Sequence, residues 1–68
     1  MTDNKDIEKS YARAFAGADG KRVIAHLRGM TIERYLGPDA TDAQLRALEG
    51  QRALVHQIEK QIERGKNG

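Results

Sequence analysis

One helical face near the carboxyl end of the chain carries side chains that can ligate metals. His56 and Glu59 are three residues apart and Glu59 and Glu63 are four apart, so a helix would bring all three together. Dinuclear carboxylate sites in helical bundles use a Glu-x-x-His order in two copies, whereas here the order is reversed and occurs once. The chain has no cysteine, and two histidines alone cannot complete a tetrahedral structural zinc site. We interpret the cluster as a solvated charged face and predict no metal and no cofactor.

The stretch GADGKR, residues 17–22, has the composition of a phosphate-binding loop. It lacks the complete glycine-lysine-Ser/Thr pattern and follows no strand, so a helix start capped by Asp19 explains it better. Ser10 has no His or Asp arrangement that would make it a nucleophile, and His26 is expected on an exposed helix side. We predict no catalytic residue and expect that the protein is not an enzyme.

Composition indicates one small domain that needs support beyond its own core. A chain of 68 residues buries only about 60% of its unfolded surface. Without cysteine there is no disulfide, which leaves close helix packing or association with a partner. We expect a homo-oligomer or docking on a larger assembly.

Charge and hydropathy give weak support to nucleic-acid or membrane partners. Net charge is +2, positive and negative side chains are mixed, and three aromatic residues are too few for base stacking. No apolar run is long enough for a transmembrane span, and the amino-terminal residues are polar, so we expect an intracellular protein or one assembled inside a cell. Five basic residues in the middle of the chain can contact nucleic-acid phosphates, but solvated helix faces explain them better: Arg13, Lys21, Arg22, Arg28 and Arg34.

Helical periodicity predicts an all-α fold, a small helical hairpin or three-helix domain with a long C-terminal helix. We expect one domain over residues 1–68 with an ordered core at about 5–64. The first helix should span about 6–15, with Asp3 or Asn4 as its cap, and end at Gly17 in a left-handed conformation. The second should start at about residues 18–20 with Asp19 as N-cap.

Residues 30–36 can form two more helical turns or an extended piece, because Thr31, Ile32 and Tyr35 favour strand geometry. We prefer an imperfect continuation of the helix or a packed loop.

The third helix has the clearest pattern. Thr41 or Asp39 should cap it, and it should run to about Arg64 and end at Gly65. Its main apolar stripe has the spacing of a core-facing helix or a coiled-coil seam: Leu45, Leu48, Val55, Ile58 and Ile62.

A second stripe lies on one flank of the same helix. Gly50 points about 120° away from the centre of the main stripe, and it shares its flank with Ala43, Ala47 and Leu54 at spacings of four, three and four. Small residues in such a row let another backbone approach closely. A helix that is apolar on two sides is buried on both, so one side should face the N-terminal helices and the other a partner. Gly50→Leu is therefore expected to disturb helix packing or assembly.

Two polar residues accompany this flank. Gln51 lies near the middle of the apolar arc, where its amide needs partners if buried. Arg52 lies on the polar edge, with Glu49 three residues before it and Glu59 two turns after it. Arg52 can belong to a solvated salt-bridging face, to a partly buried structural or interface network, or to a phosphate-binding or catalytic site. We predict an interface or structural role for the following residues: Ala43, Ala47, Gly50, Gln51, Arg52, Leu54, Val55, Ile58 and Ile62.

The stretches YARAFAGADGKRVIAHL and EGQRALVHQI carry a family resemblance. They resemble a small domain family of tailed bacteriophages and prophages whose type member comes from a Bordetella phage. The shared elements, over about residues 11–62, are an aromatic residue, a glycine turn, a Val-x-x-x-Leu helix and a later Glu-Gly-x-Arg motif: Phe15, Gly20, Val23 to Leu27, and Glu49 to Arg52 followed by Val55 and Ile58. The resemblance implies a phage context without a known enzymatic activity.

Together these observations predict a non-enzymatic phage or prophage protein. It would be a virion structural or assembly component of the head, tail or DNA-ejection machinery, acting through helix-mediated oligomerisation or docking. The alternative is a small phage regulatory or nucleic-acid-binding module, with nucleic acid the less favoured partner.

Overall fold

The structure, a computed structural model, describes residues 4–67. It contains three helices, α1 (Asn4–Ala14), α2 (Ala18–Met30) and α3 (Asp42–Asn67), and no strand within that range. The predicted all-α class with a long C-terminal helix is therefore confirmed. No described helix combines the length and apolar character that a membrane crossing requires.

The first two helices meet at a tight corner. α1 begins at Asn4 rather than Asp6, and the other candidate cap, Asp3, lies outside the described residues. Gly17 has φ −80° and ψ 177° and is the N-cap of α2, so the predicted left-handed end of α1 and the predicted cap at Asp19 are both wrong. Extended backbone at Gly17 lets Lys21 N–H donate to its carbonyl at 3.0 Å, which starts α2 without a side-chain cap.

Gly20 is required at this corner because α2 passes very close to the end of α1. A Cβ there would lie 2.6 Å from the Ala14 carbonyl oxygen and 2.5 Å from the Phe15 Cα. Both are backbone atoms that cannot move aside cheaply.

Residues 31–41 form a packed loop, which was one of the two preferred alternatives for residues 30–36. α2 ends at Met30, and the backbone N–H of Thr31 donates to the Arg28 carbonyl at 3.2 Å. The Thr31 side chain is buried, and its hydroxyl donates to the Leu27 carbonyl at 2.7 Å. This local bond satisfies a carbonyl at the helix end and replaces a further helical turn.

A reciprocal capping box starts α3. Thr41 Oγ1 accepts from the Gln44 backbone N–H at 3.1 Å, and Gln44 Oε1 accepts from the Thr41 N–H at 2.9 Å. Thr41, not Asp39, is therefore the cap. The helix does not end at Gly65 as predicted but continues to Asn67, and Gly65 keeps a helical conformation.

The aliphatic core is a single line along α3. Leu48, Val55 and Ile62 are its buried members, each seven residues from the next, and Ile58 is half-buried beside them. Leu45 was predicted in the same stripe but is 46% exposed. Helical geometry turns it about 60° from Leu48, away from that line.

α1 provides most of the cover for α3. The two helices come closest at Gly65, where a Cβ would overlap the Glu8 carbonyl oxygen and lie 2.7 Å from the Ala12 Cβ. An ion pair between Arg64 Nη1 and Glu8 Oε2 at 3.8 Å lies beside this contact. Contact between α2 and α3 is much sparser.

The resulting molecule is elongated. Its extents are 43 × 27 × 17 Å and its radius of gyration is 14.3 Å. A compact domain of this length has a radius of gyration of about 11 Å. The long helix α3 therefore extends beyond what α1, α2 and the loop can cover.

Candidate protein-binding surface

The predicted flank of α3 lies on the outside of the molecule. Ala43, Ala47, Gly50 and Leu54, which we call the flank row, are all exposed, and Leu54 is 59% exposed. A Cβ built on Gly50 would have no neighbour within 4 Å. Gly50 therefore permits no close contact within the chain, and Gly50→Leu has no internal packing there to disturb.

A groove borders the flank row. It has a volume of about 450 Å³ and lies between the loop and the first half of α3. Ala47, Leu48 and Gln51 line its helix side. Gln51, whose amide was expected to need partners if buried, is exposed here. Arg34 and Leu36 line the loop side, and Tyr35 between them is 92% exposed.

Arg52 fixes the loop wall of this groove. Its Nε donates to the Thr31 carbonyl at 2.9 Å and its Nη2 to the Arg34 carbonyl at 2.6 Å. Its Nη1 bonds Glu49 Oε1 at 2.8 Å. The planar guanidinium suits this task because its donors diverge in a fixed fork. Of the alternatives that the sequence left open for Arg52, the partly buried network describes these contacts.

A second arginine joins α2 to α3. Arg28 Nη1 donates to Glu59 Oε2 at 2.5 Å, and Arg28 Nε lies 3.7 Å from Glu33 Oε2. The hydrogen bond and charge of Glu59 raise the pKa of Arg28, with Glu33 adding to the effect. Arginine is a cation at any ordinary pH, and here its guanidinium lies between the carboxyl groups of Glu59 and Glu33.

The histidine–carboxylate face is used within the fold. His56 Nδ1 lies 3.7 Å from Glu59 Oε1, while the other Glu59 oxygen holds Arg28. Glu63 is exposed and accepts a 3.5 Å bond from Asn67 Nδ2. Among residues 4–67 no three His, Asp or Glu side chains are placed to share a metal ion.

The remaining predicted residues lie on the inner side of α3. Val55 and Ile62 are buried in the chain's own core, and Ile58 is half-buried. These three residues pack α3 against the rest of the chain, whereas the flank row faces outward. The structure thus separates the predicted set into an internal stripe, the Arg52 network and an open face.

Sequence reasoning missed three residues that shape this region. The backbone carbonyl of Thr31 accepts a hydrogen bond from Arg52. A pattern of side chains cannot predict a contact made by a carbonyl. Tyr35 was noted only as an aromatic residue, although it is the most exposed of the large apolar side chains described. Gly65 was interpreted as a helix end, yet it lies only about 60° around the helix from Gly50. The position of Gly65 on nearly the same side of α3 as Gly50 could have indicated that another helix packs closely there.

The fold and surface together define a small all-α protein with an open apolar helix face. A protein-family model described as "Bbp19-like phage protein" matches residues 11–66. The chain belongs to this family, and the predicted membership in a phage protein family is confirmed. Comparisons with curated proteins and with solved structures found no match.

Proposed function

We propose that this phage protein is a non-enzymatic structural or assembly component of the virion. It acts through the exposed side of α3, by self-association or by docking on a larger virion protein of the head, tail or DNA-ejection machinery. Its place is then the virion, or the host cytoplasm during assembly.

The observation that carries this proposal is the uncovered first half of α3. The helix is apolar on two sides, but the chain covers only the side of Leu48, Val55 and Ile62. Leu54 remains largely in water, as do Ala43 and Ala47 of the same flank row. Apolar side chains gathered on one helix face favour contact with another protein.

The arrangement of the groove supports the same proposal. Arg52 holds the loop at two carbonyls, so the wall that carries Tyr35 is ordered before any partner arrives. A preformed surface loses less conformational entropy on binding than a flexible one. Exposed tyrosines on such surfaces frequently act as anchors in protein interfaces.

The nucleic-acid alternative receives less support from the described side chains. Arg28, one of the five basic residues on which it depends, is paired with Glu59 and Glu33. We expect no binding of a short DNA duplex in fluorescence anisotropy at low salt. Tight binding with a steep salt dependence would favour the alternative instead.

Mass spectrometry of purified particles tests the proposed function directly. We expect peptides of this protein in particles of the phage that encodes it, or in their assembly intermediates. Size-exclusion chromatography with light scattering gives the state of the isolated chain. A monomer at high concentration that is also absent from particles and intermediates would contradict the proposal.

A further inference from the structure

One side of α3 is occupied near its end and open near its start. At Gly65 this side receives α1 in a backbone-to-backbone contact with Glu8. Gly50 is 15 residues earlier on nearly the same side, about 22 Å away along the helix. The flank row is therefore a continuation of a helix-packing side that α1 is too short to cover.

The accessible surface of the chain is large for its mass. It measures 5398 Å² for 7.6 kDa. A folded monomer of this mass exposes about 4,300 Å². The excess, about 1,100 Å², is comparable with the roughly 800 Å² that each partner contributes to a stable interface. The elongated chain therefore has enough surface to form one further helical contact.

The flank row is complementary to a copy of itself in one direction. If two α3 helices run antiparallel and cross between Ala47 and Gly50, Ala47 lies opposite Gly50 of the second copy. Ala43 then lies opposite Leu54 at both ends, so each large side chain meets a small one. A parallel pair would set Leu54 against Leu54 and leave a gap between the two Ala43 side chains.

The charged edge of the row fits the same arrangement. Arg46 is exposed, and its side chain has no hydrogen-bond or ion-pair partner within residues 4–67. In the antiparallel pair it lies about 3 Å along the helix axis from Glu49 of the second copy. The Glu49 side chain is 71% exposed and uses Oε1 for Arg52. Glu49 lies about 130° around the helix from the centre of the flank row, so the two symmetry-related Arg46–Glu49 pairs would lie at the rim of the interface.

We propose that the binding partner of the flank row is a second copy of this chain, paired antiparallel through α3 about a two-fold axis. This inference rests on the proposed function and specifies its partner. The interface is centred on Ala47 and Gly50, with Leu54 of each copy packed on Ala43 of the other.

Cysteine cross-linking distinguishes the direction of pairing. The natural chain has no cysteine, so Ala43→Cys and Leu54→Cys each carry a single thiol. After mixing and mild oxidation, we expect the mixed disulfide to exceed the two like-with-like products several-fold. His56→Cys, on the other side of α3, replaces Ala43→Cys in a control mixture and should show no preference. Equal or dominant like-with-like products in the first mixture would overturn antiparallel pairing.

Glycine substitutions test the interface without changing the core. Gly50→Leu should yield a monomer in light scattering with unchanged helical circular dichroism, because its Cβ meets nothing within the chain. Gly29→Leu is the matched control, since Gly29 is an exposed helical glycine with equally open space, and it should remain dimeric. A Gly50→Leu variant that dimerises like the control would overturn the assigned surface.

The experiments distinguish failure of antiparallel self-pairing from failure of the proposed function. A natural chain that stays monomeric, yet is found in purified particles, overturns self-pairing and leaves docking on another virion protein. A natural chain that is monomeric and absent from particles and intermediates overturns both.

Discussion

At the residue scale, the glycines of α3 have opposite environments despite the same helical conformation. Gly50 has no neighbour within 4 Å of a built Cβ, whereas Gly65 lies directly against the backbone of α1. Neither residue has a positive φ, so conformation does not explain either glycine. The close approach of α1 explains why residue 65 is glycine in the single chain. The proposed pairing of two copies explains why residue 50 is glycine.

We predict that Gly65→Ala destabilises the fold. The new methyl group would overlap the Glu8 carbonyl oxygen, so α1 must shift, and such overpacking costs about 1–3 kcal/mol. Urea unfolding at low protein concentration measures the change in free energy. Gly50→Ala is the matched control, and it should instead stabilise the monomer by up to about 1 kcal/mol through helix propensity. Equal stability of the two variants would show that α1 does not contact Gly65.

Arg52 gives a second prediction at this scale. Arg52→Lys should lower the free energy of unfolding by about 1–2 kcal/mol, because one ammonium cannot bond both carbonyls that the guanidinium reaches. Amide hydrogen exchange should accelerate over residues 31–36. Arg22→Lys changes an exposed arginine of α2 whose side chain has no partner within residues 4–67, and it should have little effect on either measurement. Unchanged exchange in Arg52→Lys would mean that the loop is held by its other contacts.

At the element scale, each boundary follows from a local competition for hydrogen bonds. α2 stops where the Thr31 hydroxyl takes the Leu27 carbonyl, and α3 starts where Thr41 and Gln44 satisfy each other. The loop between them is ordered by α3 itself, through Arg52. The helices and the loop therefore depend on one another despite the sparse contact between α2 and α3.

The choice between the two candidate caps of α3 can be tested by substitution. Thr41→Ala should destabilise the protein by about 1 kcal/mol because it removes the acceptor for the Gln44 N–H. Asp39→Ala, at the rejected candidate, should change the unfolding free energy by less than about 0.5 kcal/mol. Thermal and urea unfolding measure both. A larger loss for Asp39→Ala than for Thr41→Ala would be inconsistent with the capping box.

At the scale of the whole molecule, the core is small, so any further burial of apolar surface would add noticeably to stability. Leu48, Val55 and Ile62 are the buried aliphatic residues described, and the shape is more extended than that of a typical domain of this length. A second copy on the flank row would bury further apolar surface and so stabilise the native state.

We therefore predict that the melting temperature rises with protein concentration. Association of native chains shifts the unfolding equilibrium by mass action, so a hundredfold range of concentration should give a clear increase. Gly50→Leu should melt at the same temperature throughout that range. Scanning calorimetry or circular dichroism measures both, and a constant melting temperature for the natural chain would argue against self-association.

Local patterns in the sequence were sufficient to predict the helical class, the long third helix, the Thr41 cap as one of two candidates and the phage family resemblance. These features depend on local periodicity, capping chemistry and short motifs, which a single chain segment already contains. The sequence also separated the main stripe of α3 from the flank of Gly50. It did not determine the ends of α1 and α3, because Gly17 and Gly65 were interpreted only by their usual role as helix terminators.

Long-range packing, in contrast, established which glycine is packed against another helix and which backbone carbonyls accept hydrogen bonds from Arg52. Gly65 became a contact because α1 crosses α3 at that point, and Arg52 found Thr31 and Arg34 because the loop folds back over α3. Both contacts join residues that are far apart in the chain, so no local pattern specifies them. The same long-range packing covers one side of α3 and leaves the flank row exposed.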